Sequence, residues 1–384
     1  MPTQQPAPFS LDTFLRATNR YVINVANNVA INDNSVIVVP MPQANYLSMI
    51  MVTIRGTVTI AGTVTGGTLN AWQSGLPFPF GIFKNINFAN NSNNLLHNYS
   101  LWGLYKWTRF RYGKDFFSAS NNFSSAGASL TGIGQKPSAP GASVTATTYN
   151  IALTMPIPIC YNRSLLAGLL NLQGINTTYN LNLTSGTLAG GITATGGSND
   201  LFTGITGTGL SCTSALTLTV DVETCSIPQS LPGGMQPPLS LALSMTESAS
   251  TTAPTSGQNT IQIPNGQLYT SMIFEIYNNG AQVSPANLSN IQMSFGSNIY
   301  PVQQSMSANL GMDYWAGKGI TMPDGVFGFD LGMRLGEVNR RDMYDGIDGT
   351  DVTALQVNYN LPTGFTPASP KCVIDIESLI VAGQ

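Results

Sequence analysis

Three strand-like runs recur in the same order on either side of a proline-rich joint, and this duplication limits the possible folds more than any other feature of the sequence. The first copy holds Tyr149-Asn150-Ile151-Ala152-Leu153-Thr154-Met155, then Tyr179-Asn180-Leu181-Asn182-Leu183, then Leu216-Thr217-Leu218-Thr219-Val220. The second holds Val326-Phe327-Gly328-Phe329-Asp330-Leu331, then Leu355-Gln356-Val357-Asn358-Tyr359, then Val373-Ile374-Asp375-Ile376. Apolar and polar residues alternate in each run, the period of a strand with one buried face. A short helical or turn segment follows the first run of each copy: Ser164-Leu165-Leu166-Ala167-Gly168, and Arg340 to Ile347. The third run comes later in the first copy, delayed by the Gly/Thr-rich stretch Ser185–Thr213. Between the copies lies Cys225–Pro238, where Pro228, Pro232, Pro237 and Pro238 remove backbone donors and end any ladder.

The chain has 384 residues, enough for two cores. From about Asn34 onward short β-branched and aromatic runs such as Val36-Ile37-Val38-Val39 and Ile50-Met51-Val52-Thr53-Ile54 are broken by Gly, Pro and Asn clusters. A parallel sheet would need amphipathic helices between its strands, and these are nearly absent. The expected fold is therefore all-β: two consecutive eight-stranded antiparallel jelly rolls with short helices. The expected boundaries are an N-terminal arm over 1–33, a first roll over 34–227, a linker over 228–238 and a second roll over 239–384. Within the arm, Ser10 precedes Leu11, Phe14 and Leu15 at helical spacing, with Asp12 and Arg16 four apart, which predicts a short capped helix. Ser118–Ser143, Ser185–Thr213 and Ser248–Thr260 read as long loops on this scaffold.

Only 9% of residues are charged while 42% are hydrophobic, so Asn, Thr, Ser, Gln and Gly must wet the surface. A neutral polar surface offers little long-range repulsion against close packing of identical subunits. The net charge of −3 supplies no general basic field, and no specific nucleic-acid partner is expected. No secretory signal or membrane-span pattern is evident, which predicts a chain that begins as a soluble cytoplasmic product.

The chemistry-bearing residues are sparse. Cys160, Cys212, Cys225 and Cys372 form no CxxC pair, and His97 is the single histidine, so neither a zinc site nor a hydrolase triad is expected. Asp342, Asp345, Asp348 and Asp351 could hold a calcium ion through carboxylate oxygens. Their three-residue spacing with interleaved glycines fits turn-forming aspartates better, so no metal, cofactor or catalytic residue is assigned. The stretch Trp102 to Lys114 gathers Lys106, Arg109, Arg111 and Lys114 among aromatics that include Trp107. It reads either as a patch that grips phosphates or lipid headgroups, or as a strand with packed aromatics and outward cations.

Several local patterns resemble the major capsid proteins of tectivirus-like phages, the lineage that includes adenovirus. Ile151–Met155 running into Pro156-Ile157-Pro158-Ile159, then Leu165-Leu166-Ala167-Gly168-Leu169, then Tyr179–Leu183, looks like the late strands and short helix of the family's first jelly roll. Phe274-Glu275-Ile276-Tyr277-Asn278-Asn279-Gly280, Tyr314-Trp315-Ala316 and Pro323-Asp324-Gly325-Val326-Phe327 are similar to elements of its second. The resemblance implies a non-catalytic shell protein of an icosahedral virion: a homotrimer whose six rolls form a pseudo-hexagonal block. The implied partners are further copies, neighbouring capsomers, and penton and minor capsid proteins. The candidate interaction residues are Phe14, Leu15 and Arg16, on a helix that the resemblance implies near the inner face, and Lys106, Trp107, Arg109, Arg111 and Lys114, which would face the virion interior if they form the gripping patch; an internal membrane, if present, would be a further partner. The alternative is a β-rich adhesin or surface-layer protein that binds carbohydrate, which glycan binding and an export signal would distinguish.

Overall fold

A computed structural model describes residues 17–69, 76–92, 95–112, 124–125, 128–129, 144–160, 168–173, 177–226, 241–249, 253–264, 266–278, 281–283, 290–295, 299–304, 326–330, 347–349 and 355–381. The first half contributes β1 (Arg20–Ala30), β2 (Val36–Pro40), β3 (Tyr46–Leu69), β4 (Phe83–Asn90), β5 (Leu95–Tyr99), helix α1 (Leu101–Tyr112), β6 (Val144–Pro158), β7 (Tyr179–Ser185) and β8 (Phe202–Cys225). The second contributes β9 (Leu241–Ala249), β10 (Gly257–Ile263), β11 (Leu268–Asn278), β12 (Asn290–Phe295), β13 (Ile299–Gln304), β14 (Val326–Asp330), β15 (Leu355–Leu361) and β16 (Lys371–Val381).

In the first half the strands pair antiparallel as β1-β8-β3-β6 and β2-β7-β4-β5. In the second they pair as β9-β16-β11-β14 and β10-β15-β12-β13. Numbered within each half, both give the orders 1-8-3-6 and 2-7-4-5, which is the jelly roll. The three duplicated runs are the sixth, seventh and eighth strands of each roll.

Each roll closes a core between its two sheets. In roll one, Ile54, Val58, Ile86, Phe88, Leu181, Leu218 and Val220 are buried together. In roll two, Met272, Phe274, Ile276, Val357, Tyr359 and Ile374 form a second cluster. The rolls then join edge to edge. Strand β5 pairs in parallel with β9 through Met245 opposite His97 and Thr246 opposite Asn98, making one sheet that runs through both halves. The central strands β11 and β16 of that sheet are buried on both faces: one face meets roll two's core, and the other, through Ile273 and Leu379, meets roll one's.

Three expectations change. Residues 20–30 do not belong to an arm: β1 pairs with β8 along Arg20 to Ala30, so roll one begins before residue 34. Ser185–Thr213 is not one excursion, because Phe202 already opens β8, which pairs with β3 from there to Cys225. Threonine suits extended backbone, and Gly204 and Gly209, both at positive φ, take up the irregularities in this ladder. Likewise Ser248 and Ala249 still belong to β9, and Gly257–Thr260 begins β10. The expected N-terminal helix with Phe14, Leu15 and Arg16, the 228–238 linker, and Lys114 lie outside the described residues.

Candidate functional site

The richest assembly of polar side chains sits where α1 of roll one lies on the joined sheet of roll two. Ser100 caps the helix: its Oγ accepts the Gly103 N–H at 3.0 Å. The Glu247 carboxylate, from β9, accepts the Ser100 N–H at 2.7 Å and its hydroxyl at 2.6 Å, placing an anion at the positive end of the helix. Midway along, Lys106 Nζ stands 2.6 Å from Glu275 and 2.5 Å from Asp375, with all three side chains buried. Glu275 also accepts from the Trp102 indole at 3.3 Å and from the Tyr277 hydroxyl. At the far end Arg111 pairs with Glu377, whose other oxygen accepts from Thr270 at 2.7 Å and Ser271 at 3.0 Å.

Four carboxylates thus face two cations in a dry junction. Burial pushes the Asp375 carboxyl well above the usual range, and the neighbouring Glu247 and Glu275 charges push the same way; only Lys106 opposes them. Burial alone would lower the Lys106 ammonium, but Asp375, Glu275 and Glu247 together hold it above its ordinary value. Beside the junction His97 is fully buried between Phe88 and Tyr99. Desolvation drives its imidazole down to about 3, outweighing the raising effect of Glu377.

This arrangement fastens two bodies together, and its acids and bases are matched to one another inside the protein. Lys106 and Trp107, expected on a strand or an outward patch, are buried on a helix that faces this chain's own second roll. The strand expectation fails because Leu101 to Thr108 are buried all round, so no helical stripe shows in the sequence. Arg111 reaches Glu377 across the junction, whereas Arg109 bonds the Tyr105 hydroxyl of its own helix at 2.8 Å. Asp348 lies in a two-residue strand paired with Leu268, while Asp342, Asp345 and Asp351 fall outside the described residues. Among the described residues no group of His, Cys, Asp and Glu is placed to hold a metal ion. Cys160, Cys225 and Cys372 are buried.

Sequence reasoning missed Glu247, Glu275, Asp375 and Glu377. Their signal was present: Asp375 and Glu377 alternate with apolar residues in a strand buried on both sides, where an acid needs an internal cation.

A second fastening holds the loop before β8. Asp33 accepts from three successive backbone amides, Leu188 at 3.1 Å, Ala189 at 3.1 Å and Gly190 at 2.6 Å. Asp200 accepts the Thr187 N–H at 2.6 Å and pairs with Lys84 at 2.7 Å. No described helix is long and apolar enough to cross a membrane.

No protein-family profile matches this sequence, and no curated protein matches it. Solved structures do. The major capsid protein of Sulfolobus turreted icosahedral virus superposes with a TM-score of 0.63 at 12% identity, over 95% of this chain and 97% of that one. The Faustovirus major capsid protein gives 0.55 at 10% identity, over 99% and 91%. The major capsid protein of bacteriophage PM2 gives 0.52 at 10% identity, over 95% and 99%. The likeness takes in both rolls of each protein, so the chain has the double jelly-roll fold that these viral major capsid proteins share.

Proposed function

We propose that this chain is a major capsid protein, a non-catalytic block that assembles as a homotrimer and tiles an icosahedral virion shell. The observation that carries this reading is the fixed side-by-side pairing of two complete jelly rolls, sealed by a continuous sheet and the α1 charge junction. Three such pairs make a six-cornered block that can pack against its neighbours in a lattice. The near-neutral, charge-poor composition suits close packing of copies. The fold supports a shell protein over a carbohydrate-binding adhesin. Neighbouring capsomers, penton and minor capsid proteins would be the further partners, and the virion the place of action.

Light scattering coupled to size exclusion, followed by negative-stain imaging, tests the proposal. Particles of three chain masses with a hexagonal outline are expected; a chain that stays monomeric at high concentration overturns it.

A further inference from the structure

The two rolls repeat each other down to single hydrogen bonds, and the repeat leaves two strand edges without the partners that their counterparts have. Ser48 Oγ donates to the Glu223 carbonyl at 3.3 Å and its carboxylate at 2.8 Å. Thr270 Oγ1 donates to the Glu377 carbonyl at 3.3 Å and its carboxylate at 2.7 Å. Both donors sit where the ladder skips a residue: Glu223 pairs with Met49 and Thr224 with Leu47, while Glu377 pairs with Ser271 and Ser378 with Tyr269. The flanking sequences agree, Val220-Asp221-Val222-Glu223-Thr224 against Ile374-Asp375-Ile376-Glu377-Ser378.

This register fixes the other equivalences. Val22 pairs with Glu223 as Met245 pairs with Glu377, so Val22 and Ile23 of β1 stand where Met245 and Thr246 of β9 stand. The β4–β5 ladder breaks after Phe88 opposite His97, and the β12–β13 ladder breaks after Met293 opposite Val302. Val302 and Gln303 therefore stand where His97 and Asn98 stand. Pro301 falls in the break, where its missing N–H removes no rung. His97–Asn98 and Met245–Thr246 form the parallel joint between the rolls. Their counterparts are strand edges with no partner strand among the described residues: β1 ends one sheet and β13 another.

Exposure follows the same division. Met245 is fully buried, whereas Val22 is 71% exposed. Ile273, Glu275 and Asp375, covered by α1, are buried; their counterparts Met51, Thr53 and Asp221 are half-exposed.

We propose that these two edges meet in a second copy of the chain. Val302–Gln303 of one copy runs parallel to Val22–Ile23 of the next, and the sheet face bearing Met51, Thr53 and Asp221 becomes the covered face. The contact reproduces between chains the joint already made within each chain. In the homotrimer proposed above, three such contacts alternate with the three internal joints, giving six like joints around the ring. This inference rests on the capsomer reading and names the surface through which that capsomer forms.

Two variants test it against the wild-type chain. Val22→Asp places a charge where the single chain exposes its side chain, so far-UV circular dichroism stays at the wild-type signal while the concentration needed for trimers rises at least tenfold. Val22→Cys combined with Val302→Cys, in a Cys212→Ser background, gives covalent trimers with a short bismaleimide, and each single cysteine variant gives none. Val22→Asp trimers at the wild-type concentration, or a doubly substituted chain that yields no covalent trimer, overturn the proposed edge while leaving the capsomer standing. A wild-type chain that is monomeric throughout overturns both.

Discussion

Lys106 shows how much of the junction depends on one side chain. Removing it leaves Glu275 and Asp375 facing each other without water, and breaking a buried pair from one side costs about 3–5 kcal/mol. Lys106→Met should therefore lose stability on that scale in urea titrations. Lys106→Met combined with Asp375→Leu should recover part of the loss, because the stranded acid is gone. His97 sets the pH response. The unfolded chain protonates it near 6.5, the folded chain only near 3, so stability present above pH 6.5 is lost as pH falls through that window. The slope is roughly 1.4 kcal/mol per pH unit, and His97→Leu should regain on the order of 4 kcal/mol between pH 8 and pH 3.5 relative to wild type. Matched denaturation curves at the two pH values measure this; an unchanged difference between them would count against the buried neutral imidazole. Asp375 works in the opposite sense, since its raised pKa gives a contribution that is fullest at low pH and is lost as pH rises through the folded value. A scarcity of carboxylates suggests acid tolerance from composition alone, yet the single histidine works against it. Burial decides that outcome, and no local pattern around Leu95-Leu96-His97-Asn98 reveals it.

Helix α1 leaves no amphipathic stripe in the sequence. Phe110 and Tyr112 alternating with Arg109 and Arg111 look like a strand with cations on one face. The helix forms because Ser100 caps it and roll two surrounds it, and both causes depend on residues more than a hundred positions away, Glu247 above all. Gly103 carries the same dependence. In an ordinary helix Gly→Ala gains up to about 1 kcal/mol. Here a Cβ at Gly103 would stand 2.5 Å from a Glu247 carboxylate oxygen. Moving that carboxylate breaks charge-assisted hydrogen bonds worth about 1.5–3 kcal/mol each. The second effect wins, so Gly103→Ala should lower stability by about 1–2 kcal/mol net. A thermal melt that shows a higher Tm for this variant would mean that Glu247 does not hold the helix start. The duplicated strands, by contrast, were legible because each keeps one face in its own roll: Tyr179–Ser185 and Leu355–Leu361 alternate buried and half-buried residues without a break.

Whole-molecule architecture was legible in its duplication and illegible in its joint. The period-two runs and the prolines of Cys225–Pro238 suffice for two antiparallel rolls. The repeat in the eighth strands is stronger than a comparison of Leu216–Val220 with Val373–Ile376 suggests. Register pairs Val220–Thr224 with Ile374–Ser378, so Val373 answers to Thr219, three residues further along the first copy than Leu216, and the shared bulge at Ser48 and Thr270 fixes that alignment. The parallel pairing of β5 with β9 has no sequence signature, since two short strands far apart in the chain meet through a few backbone bonds. That joint also moves charge inward. Lys106, Glu275, Asp375 and Glu377 are buried within it, leaving a surface poorer in charge than the 9% composition implies. Association of such surfaces draws on apolar contact and backbone pairing, which salt does not screen, whereas exposed charges more than about 10 Å apart lose their interaction at 0.1 M salt. Self-association should accordingly vary less than about threefold in midpoint concentration between roughly 0.05 and 0.5 M sodium chloride, against the steep power law expected of phosphate binding. Sedimentation velocity across that series measures it, and a tenfold weakening with salt would place exposed charge pairs, in place of sheet edges, at the contact between copies.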